Sequence, residues 1–179
     1  MALMKIFGFA GWSGSGKTTV IEQIVPLLRQ EALSVSLIKH AHHEFDIDQP
    51  GKDSWRHRRA GCREVLITSA KRWALMHELQ DEAEMTLEDA LSRLSPCDLV
   101  LIEGFKRAAI PKLEIHRVGL GKALLFPDDP NVVGIAIDDA SAVGRANIPV
   151  LDLSNAATIA AFVIQHSAEL SFDIPGPHL

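Results

Sequence analysis

Two rhythms of apolar positions alternate along the chain. Short, nearly unbroken apolar runs at 5–10 (KIFGFA), 35–40 (VSLIKH), 98–105 (DLVLIEGF), 132–138 (VVGIAID) and 149–153 (PVLDL) predict strands, the run at 98–105 being the strongest central one. Between the first two, Val20, Ile24, Leu27 and Leu28 recur at helical spacing and predict a helix to about Glu31. Pro26 lies inside it, so the expectation includes a bend near Ile24 or a local loss of regularity. TLEDALSRL (86–94) starts with Thr86 and has Asp89 three residues on, which predicts a capped helix. NAATIAAFVIQHSAEL predicts a closing helix with Ser154 or Asn155 as its cap.

Other stretches carry weaker patterns. KLEIHRV (112–118) alternates apolar and polar residues, as does a strand with one exposed face, and offers an edge for pairing with a second copy. EVLITS and RWALMHEL, separated by AKR, predict a hairpin, a second candidate edge. SWRHRRAG predicts a short basic helix stopped by Gly61. Residues 41–53 and 119–131 read as loops, and 171–179 as a flexible tail. Strands and helices in this alternation predict one α/β domain over residues 1–170, with a mainly parallel sheet and a β-hairpin extension.

The chain has 179 residues and a net charge of −5, so it has no general basic field to attract nucleic acid. No apolar stretch is long enough for a bilayer span, and the N-terminus runs into a glycine loop instead of a cleavage site. The expected compartment is the cytoplasm. Cys62 and Cys97 have no metal-ligand spacing and read as free or buried thiols.

The strongest chemical signal is GWSGSGKTT (11–19), placed between the first predicted strand and helix. Gly11, Gly16, Lys17 and Thr18 have the spacing of a phosphate-binding loop. Glycines at Gly14 and Gly16 permit backbone N–H groups to turn inward on a polyphosphate, and Ser15 and Thr19 belong to the same cradle. Lys17 is placed to reach the β- and γ-phosphates, and the Thr18 hydroxyl to reach a bridging Mg²⁺. Glu103, ending LVLI, is the expected carboxylate for that ion, and Gly104 would allow close passage past the γ-phosphate. The expected fold is accordingly that of a P-loop NTPase, three layers α/β/α, with Lys17 and Glu103 as its catalytic residues.

The stretch KHAHHEFDIDQPGKDSWRHRR follows the second strand and should emerge on the loop's side of the sheet. Asp46 or Asp48 could join the Mg²⁺ shell, and Lys52, Arg56 and Arg59 could offset phosphate charge. A solvated polar segment and a zinc site on His40, His42 and His43 are the competing readings.

Taken together, GWSGSGKTT, LIKHAHHEFDIDQPGKDSWRHRRAG, RWALMHEL and DLVLIEGFK resemble the molybdopterin-guanine dinucleotide biosynthesis protein B family, over about residues 5 to 165. The resemblance implies a homodimer that binds GTP with Mg²⁺ and hydrolyses it slowly at most. It also implies an accessory role beside the guanylyltransferase that attaches GMP to molybdopterin. Gly14, Gly16, Lys17, Thr18 and Thr19 match the family's loop, and Glu103 its EGF glutamate. No Asn-Lys-x-Asp element is present to select guanine; Asp138 or Asp139 is the candidate substitute.

Phe105 and Lys106 follow Gly104, where some GTPases place a water-orienting glutamine, so the expectation is a slow catalyst or a partner-stimulated one. Arg56, Arg58 or Arg107 could supply a cation. Two other classes compete. A small-molecule kinase would use Asp46 or Asp48 as base; a metal-delivery GTPase would use His40, His42 and His43.

Overall fold

The computed structural model describes residues 3–41 and 45–171; the predicted tail and the candidate ligands His42 and His43 lie outside these, apart from Ser171. Contacts divide the chain into two compact units, one built from residues up to His40 and from Leu87 onward, the other from Ala41–Thr86. The sequence reading placed both in one domain.

The larger unit holds β1 (Leu3–Ala10), α1 (Lys17–Gln30), β2 (Val35–Lys39), α3 (Leu87–Ser92), β5 (Leu99–Glu103), β6 (Lys112–His116), β7 (Val132–Ile137), β8 (Val150–Asp152), α4 (Ala156–His166) and β9 (Ala168–Ser171). The smaller unit holds α2 (Asp53–Arg59), β3 (Glu64–Thr68) and β4 (Trp73–His77). The main sheet has the order β2-β5-β1-β6-β7-β8, all parallel. Strand β9 is the exception. It runs antiparallel along Leu3–Ile6, while β6 takes only Gly8–Ala10 of the same strand.

The pleat divides β1 and β5 between two apolar layers. Phe7, Phe9, Leu99 and Leu101 pack with Ile24 and Leu28 of α1 and Ile159 and Val163 of α4. Met4, Ile6, Val100 and Ile102 pack on the other face with Leu87 and Leu91 of α3. That is the predicted α/β/α layering.

Three elements bear on expectation, and the first keeps its predicted extent without a break. Helix α1 continues through Pro26 to Gln30. The carbonyl that Pro26 leaves without a donor belongs to Glu22, on the exposed side, where water can serve it. The closing helix stops at His166, and SAEL, expected as helix, becomes most of β9.

The third element matters most. Strand β6 is no edge and has no exposed face: it lies between β1 and β7, and all five residues are buried. Its two charged positions, Lys112 and Glu114, are satisfied internally. Lys112 Nζ, 1% exposed, reaches Asp129 Oδ2 at 2.8 Å and the Lys106 carbonyl at 3.1 Å. Glu114, fully buried, accepts from the Leu125 and Phe126 amides, and His116 Nδ1 lies 3.6 Å from Glu114 Oε1.

The smaller unit is the predicted hairpin, with Glu64 opposite His77 and Thr68 opposite Trp73, and α2 packed on β3. Arg58 ties it together. Its guanidinium binds Asp48 through Nε (3.3 Å) and Nη2 (2.8 Å), Glu78 through Nη1 (3.1 Å), and Asp46 through Nη2.

Candidate functional site

The C-terminal ends of β1, β5, β6 and β7 lie side by side in the sheet, and the glycine loop leaves the first of them. Gly11, Gly14 and Gly16 have φ of 147°, 82° and 98°, which side-chain-bearing residues rarely adopt. At Gly11 a Cβ would also lie 2.4 Å from the Ile115 carbonyl oxygen of β6, so the loop is pressed against that strand. Helix α1 begins at Lys17 with no side-chain cap and no acid in its first turn. Its open N–H groups and the positive end of its dipole therefore face the loop. Ser15 is buried and its Oγ has no partner, an orphaned hydroxyl inside the cradle.

Lys17 Nζ donates to the carbonyls of Gly11 (2.9 Å) and Trp12 (3.1 Å), folded back over the loop. Burial lowers its pKa, partly offset by the charge of Glu103. Thr18 Oγ1 donates to Glu103 Oε1 at 3.4 Å, and Lys39 Nζ stands 3.9 Å from Glu103 Oε2. A hydroxyl and a largely buried carboxylate so placed form a hard-oxygen donor pair suited to Mg²⁺. Gly104 has φ 101°, and a Cβ there would meet the His40 Cβ at 2.7 Å. Its close approach is to the end of β2.

Beside α1 lies a cavity of about 480 Å³, lined by Thr19, Gln23, Arg117, Asp138, Asp152 and Ser154 among others. Asp138 follows β7 and accepts the Val118 amide at 3.0 Å. Arg117, directly after β6, places Nε 3.4 Å and Nη2 3.5 Å from where a Cβ on Gly16 would stand. Its guanidinium thus joins the glycine loop to the cavity. Sequence reasoning named Asp138 but missed Arg117, Asp152 and Ser154. Reading KLEIH as a central strand would have put Arg117 at the ligand-bearing edge of the sheet.

The structure gathers Gly14, Ser15, Gly16, Lys17, Thr18, Thr19, Glu103, Gly104 and Asp138 in the larger unit. Asp46, Asp48 and Lys52 belong to the smaller one. There Asp48 and Asp46 serve Arg58, so the groups named as Mg²⁺ ligands or kinase base, and the Arg58 named as a cation, are engaged with each other. Lys52 is exposed ahead of α2, and Arg59 stacks over Trp55 at 5.8 Å. Among the described residues no group of three or more His, Cys, Asp or Glu side chains could hold a metal ion, and no helix is long and apolar enough to cross a membrane. Cys62 and Cys97 are free.

Residues 6–138 match the family model described as molybdopterin guanine dinucleotide synthesis protein B. The molybdopterin-guanine dinucleotide biosynthesis adapter protein of Escherichia coli (strain K12) is 38% identical over 91% of this chain and 93% of its own length. Its Haemophilus influenzae counterpart is 37% identical over 88% and 86%. Two crystal structures share the fold. That of Bacillus subtilis MobB has a TM-score of 0.71 at 24% identity, covering 92% of this chain and 99% of that one. A second, titled molybdopterin-guanine biosynthesis protein B, has a TM-score of 0.66 at 25% identity, covering 89% and 98%. The match spans the glycine loop, the Arg58 cluster, Glu103 and Asp138 alike, and the chain belongs to the molybdopterin guanine dinucleotide synthesis protein B family.

Proposed function

We propose that this chain is a cytoplasmic GTP-binding adapter in molybdopterin-guanine dinucleotide formation, assisting the guanylyltransferase that joins GMP to molybdopterin. The observation that carries the nucleotide half of this reading is the loop: three glycines with positive φ, an uncapped helix start, an orphaned buried hydroxyl and a lysine with depressed pKa converge on one point. The adapter half rests on the likeness to the Escherichia coli and Haemophilus influenzae adapter proteins.

Backbone amides of the loop and Lys17 would hold the phosphates, and Arg117 would add a second cation from the same chain. Thr18 and Glu103 would hold Mg²⁺, which supplies charge neutralisation at the transferring phosphoryl group. Lys106 follows Phe105 after Gly104, so no side-chain amide is offered there to orient water. The reaction of the isolated protein is then slow hydrolysis, and its main work is binding.

Homodimerisation is part of the same proposal. The hairpin is a two-stranded sheet, an arrangement marginal alone, and it exposes Leu66, Ile67, Leu75 and Trp73, the last at 70%. A second copy pairing there would cover these side chains. Sedimentation of Trp73→Lys should give monomers where the parent gives dimers.

Calorimetry with GTP, ATP and molybdopterin, with and without Mg²⁺, tests the binding, and phosphate release tests turnover. Tight Mg²⁺-dependent GTP binding with slow release is expected. Rapid turnover only on addition of a hydroxyl acceptor would replace the adapter by a kinase. Capture of the purified guanylyltransferase tests the partner.

A further inference from the structure

The cavity beside α1 is contiguous with the phosphate loop through Thr19 and Arg117, and its volume, about 480 Å³, falls in the usual range of small-ligand sites. Among its lining groups are two carboxylates, Asp138 and Asp152, at the ends of neighbouring strands β7 and β8. Each has one oxygen fixed by the protein. Asp138 Oδ1 takes the Val118 amide; Asp152 Oδ1 takes the Ser154 amide (2.8 Å) and hydroxyl (2.7 Å). Among the described residues the second oxygen of each makes no hydrogen bond and remains available as an acceptor.

We propose that this cavity is a base-reading pocket in which Asp138 and Asp152 together accept the N1–H and N2–H₂ hydrogens of guanine, with Arg117 bridging base site and phosphates. This deepens the GTP reading and rests on it. The chemistry is one of acceptors against donors. Guanine presents two adjacent donors on that edge, whereas adenine presents a ring nitrogen lone pair at N1. An ionised carboxylate there attracts the first and repels the second, so the pocket discriminates by rejection as well as by attraction. Hydrogen bonds to Ser154 hold the Asp152 carboxyl below the ordinary range, which keeps it an acceptor at neutral pH. Asp152 thereby supplies what the absent Asn-Lys-x-Asp element would leave to a single aspartate.

The test uses the full chain with GTP, ATP and xanthosine triphosphate in Mg²⁺, titrated by calorimetry for the parent, Asp152→Asn, Asp138→Asn and Lys17→Ala. Asp152→Asn should weaken GTP by about ten- to a hundredfold, the worth of one good base contact. It should strengthen xanthosine triphosphate, whose C2 carbonyl accepts from the new amide. A structural lesion would weaken both nucleotides, so this crossover reports a contact. Asp138→Asn gives an independent reading if Asp152→Asn fails to fold. A parent protein that binds GTP and ATP alike, or asparagine variants with the parent's nucleotide ranking, would overturn the pocket and leave triphosphate binding standing. A parent that binds no triphosphate, matching Lys17→Ala, would overturn the GTP reading beneath it.

Discussion

Thr18 Oγ1 and Glu103 Oε1 meet at 3.4 Å although 85 residues separate them in sequence. The sheet order explains the meeting: β1 and β5 are parallel neighbours, so the loop after one and the carboxylate ending the other share an edge. Neither residue gains much from the bond itself, which is long for two oxygens. On the GTP–Mg²⁺ reading proposed above, its value would be the placement of two oxygens for one cation. Glu103→Gln removes the charge and keeps the shape. It should therefore weaken the Mg²⁺-dependent part of GTP binding while leaving binding without Mg²⁺ nearly intact. Equal affinity for parent and variant in Mg²⁺ would deny Glu103 this role.

The neighbouring strand β6 carries a different kind of buried charge. Lys112 has its stem over Gly8, where a Cβ would lie 2.8 Å from the lysine Cγ, and its ammonium on Asp129. Removing Asp129 leaves the Lys112 ammonium buried without a counter-charge and with the Lys106 carbonyl alone. Asp129→Ala should cost about 3 kcal/mol in denaturant unfolding, whereas Lys112→Met with Asp129→Asn together should cost less. A loss under about 1 kcal/mol for the single change would show the ammonium finding water instead.

That strand also shows where the sequence stopped being legible. Runs such as DLVLIEGF and VVGIAID announce buried parallel strands because both faces are apolar, and the glycine loop announces itself by spacing. KLEIH reads as half-exposed because periodicity registers polarity but not partners. Asp129 and the amides of Leu125 and Phe126, which neutralise it, come from a loop with no pattern of its own. The error hid Arg117. Asp46 and Asp48 differ in kind: their acidity was legible, but not that Arg58, twelve and ten residues on, engages both.

Arg117 earns its own test. With its guanidinium beside Gly16, Arg117→Ala should lower affinity for GTP and for inorganic triphosphate alike, about tenfold, the worth of one charge-assisted hydrogen bond. A loss confined to GTP would assign the side chain to the base and not to the phosphates.

Gly134 in β7 faces Phe162 of α4, and a Cβ there would fall 2.5 Å from the ring's Cζ. The ring is itself fixed edge-on to Phe7 and stacked on His166, so it has little room to retreat. Gly134→Ala should cost about 1–3 kcal/mol through overpacking, measured by thermal unfolding. Nucleotide affinity of the folded fraction should not change.

In the smaller unit, His77 binds Glu64 across the hairpin through Nδ1 (2.7 Å) and Glu82 through Nε2 (3.1 Å), and Arg63 also pairs with Glu82. The bonds to Glu64 and then Glu82 raise the histidine pKa above its ordinary value. A group whose pKa is raised on folding stabilises fully below its unfolded value and loses that contribution as pH climbs through the folded one. Amide exchange of β3 and β4 should therefore be slower at about pH 6 than at about pH 8.5, after correction for intrinsic rates, and His77→Gln should flatten the difference. Glu82, whose pKa is lowered by the same contact, sets the opposite limit, since its share is lost as acid protonates it. Exchange that stays pH-independent across neutrality in the parent would mean that the two carboxylates do not hold a charged imidazole.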